Sequence, residues 1–166
     1  MATSLEDLKV LKSAEEIADA IWKGVIRWEQ FAKDVVGKQM AEAADSIGAN
    51  IAESFGRYNF GEKIQFLYYA RGSLFETKYW LNRSSARGLI PEIEVHNYST
   101  QLTFVARQIN MFASSLRTQR APSKSKVVRE ERADYVIDHS LEEFPEPLFT
   151  DLELNWLETS LDNLQP

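Results

Sequence analysis

Between positions 95 and 116, Val95, Tyr98, Leu102, Val105, Ile109, Phe112 and Leu116 follow one another at alternating steps of three and four residues. That period belongs to one face of an α-helix, not to a strand. A helix of about 25 residues, ~38 Å long at ~1.5 Å per residue, needs other helices to cover such a stripe. Just ahead of it, GLIPE at 88–92 places a C-cap glycine and a first-turn proline, and so ends one helix and starts the next.

The helix that ends there, spanning about 61–87, is apolar on more than one side. Phe60, Ile64, Leu67 and Leu74 form one row, Tyr68, Phe75 and Tyr79 a second, and Phe66, Ala70 and Trp80 a third. A helix of this kind is buried on more than one face, which a four-helix monomer does not provide. The expectation is a subunit interface that includes Phe66, Tyr68, Phe75, Tyr79 and Trp80. The alternative is a wide core face edged by tyrosines; a base-stacking platform is a lesser option, because such sites sit beside a positive groove.

Upstream, the turn at 58–61 follows a second helix over 38–55, with Met40, Ala44, Ile47 and Ile51 on one face and an alanine-rich interior that favours helix. A first helix is expected to begin at the Ser13–Glu16 capping box and to end at Gly37. Its stripe runs Ile17, Ile21, Gly24, Trp28, Phe31, Val35, with Trp22 off it. Before it, Leu5, Leu8 and Leu11 have helical spacing but no clear cap, which predicts a short or frayed segment. The fold class that follows is all-α: an up-down antiparallel four-helix bundle over 13–120.

Polar and small residues interrupt the middle pair of helices. If the two turn near Asn59, Gly72 stands opposite Ser46 and Tyr68 opposite Asn50, which predicts a close crossing. Asn50 must then bond a tyrosine hydroxyl or a backbone carbonyl. Glu53 and Arg57, at i and i+4, read as a helix-surface ion pair worth about 0.3–0.5 kcal/mol rather than as catalytic groups.

The two stretches DSIGANIAESFGR (45–57) and FLYYARGSLFE (66–76), with Ser46, Asn50, Glu53, Arg57, Arg71, Gly72 and Ser73 as their structural motif, resemble the signature of a family of bacterial four-helix-bundle proteins. These were first noticed as reading frames in intervening sequences of large-subunit ribosomal RNA genes, and the family takes in accessory variability determinant proteins of diversity-generating retroelements. The resemblance covers about 13–120. It implies a bundle that often assembles as a ring of five, with no known enzymatic activity. The retroelement members are basic and assist a reverse transcriptase and its RNA. Where many members have a basic pair on the second helix, this chain has Ala41 and Glu42.

Charge divides the chain in the same place as pattern does. The formal net charge is −6, yet residues 1–120 hold 15 Lys and Arg against 14 Asp and Glu, while 121–166 hold 4 against 11. Between the two lies a basic stretch, Arg117, Arg120, Lys124, Lys126, Arg129 and Arg132. Residues 121–166 read as a linker and an acidic extension ending in a short amphipathic helix over about 150–164. There Leu154, Trp156, Leu157, Leu161 and Leu164 are expected to dock into a groove of this or another protein.

Chemistry is sparse. With no cysteine, no phosphate-loop or protease motif, and His96 and His139 expected to face solvent, neither cofactor nor metal nor enzymatic activity is expected. The first residues, MATSLEDLKVLK, read as neither signal nor anchor, so a cytoplasmic location without membrane partners is expected. Two functions remain: an oligomeric scaffold or adaptor, pentameric by the resemblance, that recruits a protein, or an accessory that binds RNA or DNA. Arg71, Arg83, Arg87, Arg107, Arg117 and Arg120 would supply the second with positive surface.

Overall fold

A computed structural model describes residues 4–120 together with Leu152. Among the described residues there is no strand, and four helices carry the fold: α1 (Lys9–Val25), α2 (Lys38–Gly56), α3 (Phe60–Ala86) and α4 (Glu92–Arg120). The main contacts run α1 to α2, α2 to α3, α3 to α4 and α4 back to α1, which puts α1 and α3 at opposite corners.

α1 both starts and stops earlier than its spacing predicts. Leu5–Asp7 form a 3-10 turn, Leu8 and Leu11 are buried, and Leu5 packs against the core. The residues from Leu5 onward are therefore part of the bundle, held by apolar burial and by a capping box in which the Ser4 N–H donates to the Asp7 carboxylate at 3.2 Å. Ser13 lies inside α1, its hydroxyl donating to the Lys9 carbonyl at 3.1 Å. After Val25 the chain reverses, with the Arg27 and Trp28 N–H groups on the carbonyls of Gly24 and Val25 and the Lys33 ammonium on that of Ile26. It re-enters helix through Gln30–Ala32 and a π-helical turn, Lys33–Gly37, that runs straight into α2.

Gly37 is thus a crossing point and not a stop. A Cβ at this position would lie 2.5 Å from Val25 Cγ1 and 3.4 Å from Trp28 Cε3, so only a glycine lets α1 and the start of α2 come this close. Phe31 and Val35, expected on the core stripe of the first helix, fall after the reversal and are 80% and 47% exposed.

The other stripes hold as their spacing predicts except at Phe60, which stands in the first turn of α3 and is 36% exposed. Met40, Ala44, Ile47 and Ile51 of α2 are fully buried, as are Leu67 and Leu74 of α3 and Leu102, Val105 and Ile109 of α4. Val95 and Phe112 pack half-buried against the same core. α2 and α3 run antiparallel, since Met40 meets Ser84, Asn50 meets Ser73, and Ser54 donates to the Lys63 carbonyl. By the ~100° turn per residue of an α-helix, Ala70 and Thr77 share the side of α3 that carries Ser73 and Ser84. Small residues do meet at this crossing, but they are these four rather than Gly72. Thr77 and Thr103 enter the core with their hydroxyls on the carbonyls of Ser73 and Ser99, 2.8 and 2.9 Å away, so neither leaves an orphaned polar group.

Across α3 and α4, the Arg117 guanidinium donates to the Tyr68 hydroxyl at 3.0 Å. The same side of α4 carries Ser99, Ala106 and Ala113 at seven-residue spacing, all buried. Tyr68 and Phe75 of α3 pack half-buried against the core. The connection between these helices closes as a glycine C-cap, with Gly88 at φ 67° and the Leu89 N–H on the Ser84 carbonyl at 2.9 Å.

α4 is joined to α1 by Tyr98, whose hydroxyl donates to the Ala20 carbonyl at 3.2 Å. Gly24 makes room for it, since a Cβ there would stand 3.0 Å from the phenol oxygen. Burial pushes the Tyr98 phenol above its ordinary range, the negative charge of Glu94 adds to this, and Arg27 opposes it.

Two glycines should respond in opposite ways to alanine. Gly37→Ala forces Val25 aside and should cost about 1–3 kcal/mol, whereas Gly72→Ala, with nothing within 4 Å of its Cβ, should gain about 1 kcal/mol from helix propensity; denaturant melts read both. Tyr98→Phe should cost about 1 kcal/mol at neutral pH for the lost hydrogen bond. Because the folded phenol holds its proton more tightly than the unfolded one, the wild type should lose stability as pH rises above about 10, the ordinary tyrosine value. Melts of wild type and variant across that range should show the difference between them shrinking.

Candidate interaction surface

The motif residues form two linked clamps between α2 and α3. In the first, the Asn50 amide donates to the Ser46 carbonyl at 2.8 Å and reaches the Ser73 hydroxyl at 3.4 Å, while Ser73 donates to the Tyr69 carbonyl at 3.1 Å. Asn50 thus finds the backbone carbonyl expected of it, and a serine instead of a tyrosine. Ser46 is turned inward along its own helix, donating to the Glu42 carbonyl at 2.7 Å.

In the second clamp, Arg57 pairs with Glu53 and lies over the Phe66 ring, 4.6 Å from its centroid. Phe66 in turn meets Tyr69 edge-on at 5.4 Å. Both members of the ion pair are more than a third exposed, so the pair itself contributes little beyond ~0.5 kcal/mol. The guanidinium on the ring adds a further contribution of about 0.5–1 kcal/mol at such a site. The clamp fixes the end of α2 against the start of α3.

What remains of α3 faces outward. Tyr69 and Tyr79 are 49% and 56% exposed, and Gly72 lies exposed between them. The proposed interface residues divide here. Phe66 is half-buried under Arg57, while Tyr68, Phe75 and Trp80 are half-buried against the core, with Tyr79 edge-on to Trp80 at 5.0 Å. Trp80 keeps a buried ring N–H with no partner among the described residues. Arg71 and Lys78 flank Phe75, at 5.6 and 5.2 Å from its centroid.

The arginines singled out for nucleic acid do not gather. Arg71 is spent on the Phe75 ring and Arg117 on the Tyr68 hydroxyl, while Arg83 and Arg87 are exposed one turn apart at the end of α3 and Arg107 is exposed on α4. Arg71 to Arg87 alone is 16 residues of helix, or ~24 Å at ~1.5 Å each. The side chain of Arg120 lies outside the described residues. So do Leu154, Trp156, Leu157, Leu161 and Leu164, the expected docking helix, and His139; His96 is half-buried rather than solvent-facing.

Three exposed apolar residues escaped the sequence reading. Ile93, Phe104 and Met111 of α4 are 68%, 54% and 73% exposed. A signal for them exists: positions 93, 97, 100, 104, 107 and 111 repeat the three-four step of the core stripe on the opposite face, masked by the polar residues between. Among the described residues, no helix is long and apolar enough to cross a membrane.

These clamps are built from the very stretches that carry the family resemblance. The sequence model of the 23S rRNA-intervening sequence protein family matches residues 6–111. The chain belongs to this family. The match spans the bundle from its 3-10 turn to about two-thirds of the way along α4 and stops before the charged extension. The comparison with curated proteins returns no match.

Asn50→Ala should lower stability by about 1 kcal/mol, the net worth of a part-buried amide hydrogen bond, without loss of helix content. Circular dichroism with a denaturant melt measures both, and an unchanged midpoint would mean that the clamp contributes nothing.

Proposed function

We propose that this member of the 23S rRNA-intervening sequence protein family is a non-enzymatic scaffold, an up-down four-helix bundle with an acidic C-terminal extension, that assembles with copies of itself and recruits a protein partner. The observation that carries the reading is the outer face of α3. A glycine in the middle of a 27-residue helix costs about 1 kcal/mol relative to alanine, and inside this chain nothing approaches Gly72 closely enough to require it.

A glycine flanked by exposed tyrosines suits the approach of a second backbone, with Tyr69 and Tyr79 as rigid amphipathic anchors on either side. The unpartnered Trp80 N–H beside them would find an acceptor there. By family resemblance the assembly is a ring of five; the cytoplasm is proposed as its place from the character of the first residues. The competing reading, an accessory that binds RNA or DNA, draws support from the exposed Arg83, Arg87 and Arg107, but Arg71 is already on the Phe75 ring and Arg117 on the Tyr68 hydroxyl.

Light scattering on the full chain at micromolar concentration should report a closed oligomer, and a stable monomer would end the assembly reading. Tyr79→Glu and Gly72→Gln, both on exposed positions that leave the core alone, should each shift the population toward monomer. Filter binding with RNA at physiological salt should show weak association that falls steeply with added salt; tight binding that persists would favour the accessory function instead.

A further inference from the structure

On the side of the bundle away from α3 and α4, α1 and α2 enclose an open groove of about 300 Å³. Its floor is made of residues too small to fill it: Ala14 and Ala18 from α1, Gly48 and Ala52 from α2. At Gly48 the nearest groups to a would-be Cβ are Leu11 Cδ1 and Ala14 Cβ, at 3.7 and 3.9 Å, so the helices are in contact beneath the groove and open above it. Its rim is acidic. Glu15, Asp19 and Asp45 line it, and none of the three has an ion-pair or hydrogen-bond partner among the described residues.

These carboxylates disfavour one another and the apolar floor. Asp45 is held above its ordinary range by partial burial and by the negative charge of Asp19. An acidic occupant would raise that cost, so the residues beyond 132, nine acids and no Lys or Arg, are excluded by charge. A segment carrying cations next to small apolar side chains fits. The chain has one of that composition immediately past α4: PSKSKVVREER, positions 122–132, with Lys124, Lys126 and Arg129 around Val127 and Val128.

Its starting point is also right. Tyr98, near the start of α4, meets Ala20 and Gly24 near the end of α1, so α4 runs back alongside α1 and ends at Arg120 on the side of Leu5, which lines the mouth of the groove. Twelve residues from Arg120 to Arg132 span up to ~40 Å extended, more than the ~26 Å length of α1. We propose that the α1–α2 groove docks residues 122–132 of the same chain, with Val127 and Val128 on the alanine floor and Lys124, Lys126 and Arg129 against Glu15, Asp19 and Asp45.

Such docking neutralises the rim and keeps the basic stretch folded back on its own bundle. It is independent of assembly through α3, and either can fail without the other. Zero-length carbodiimide coupling on the dilute full chain, followed by digestion and mass spectrometry, tests it directly. The exposed Lys38–Glu42 pair, 3.7 Å apart, is the internal control for reagent activity.

Lys124 or Lys126 should couple to Glu15, Asp19 or Asp45. The yield should be independent of dilution and should fall several-fold between 50 mM and 0.5 M salt, where screening shortens to about 4 Å. The double variant Asp19→Asn, Asp45→Asn should cut the remaining coupling to Glu15 several-fold while leaving the control pair unchanged. Coupling of these lysines solely to the carboxylates of 134–162, or no coupling beyond the control pair, would overturn the proposal. Coupling found only between light and heavy chains in an isotope-mixed sample would overturn it as well, since the occupant would then be a neighbour's segment.

Discussion

The fold depends on how closely α3 is held by its two neighbours, and each contact achieves closeness by a different means. Against α2 the small groups are on α3 itself, Ala70, Ser73, Thr77 and Ser84, so the backbones approach and Asn50 reaches across to Ser73. Against α4 the contact is made by large rings, Tyr68 and Phe75, half-buried against the core, with the Tyr68 hydroxyl accepting from the Arg117 guanidinium. The remaining third of α3 carries aromatic residues for which the bundle has no interior place. The exposed tyrosines are therefore a consequence of close packing on the other two sides, and that links the core directly to the candidate surface.

One-sided patterns were legible and two-sided ones were not. The stripes of α2 and α4 have one apolar face each, so spacing alone placed Met40, Ile47, Leu102 and Ile109 in the core. The corner between α1 and α2 defeated the same logic, because Trp28, Phe31 and Val35 continue the three-four step across a reversal that contains neither Gly nor Pro. The glycine after that corner, Gly37, reads in the sequence as a terminator, whereas its role is steric: it clears Val25. The lapse came from treating glycine as punctuation when the constraint was contact with a residue twelve positions earlier.

Gly72 carries the same lesson in reverse. A hairpin register that turns at Asn59 put it opposite Ser46, but the pairs Ser54–Lys63, Asn50–Ser73 and Met40–Ser84 drift as the helices wind around each other. Ser73 takes the inner position, and its neighbour Gly72 is turned outward by ~100°. The motif was legible as a cluster; its orientation was not. Likewise the aromatic excess of α3 signalled a second face, yet only the packing separates Tyr68 and Phe75, which serve the core, from Tyr69 and Tyr79, which do not.

The placement of the two surfaces makes them compatible. α1 and α3 occupy opposite corners, so a neighbour that covers Tyr69, Gly72 and Tyr79 does not approach the groove between α1 and α2. Each surface also has its own chemistry, aromatic and nearly neutral on α3, acidic over a small apolar floor on α1 and α2. Salt should then act on them unequally: screening weakens contacts made by exposed charges and leaves apolar burial intact or stronger. If both proposals hold, assembly through α3 stays constant while docking of the charged segment changes with ionic conditions, because the interactions that govern the two lie on separate faces and respond to different physical variables.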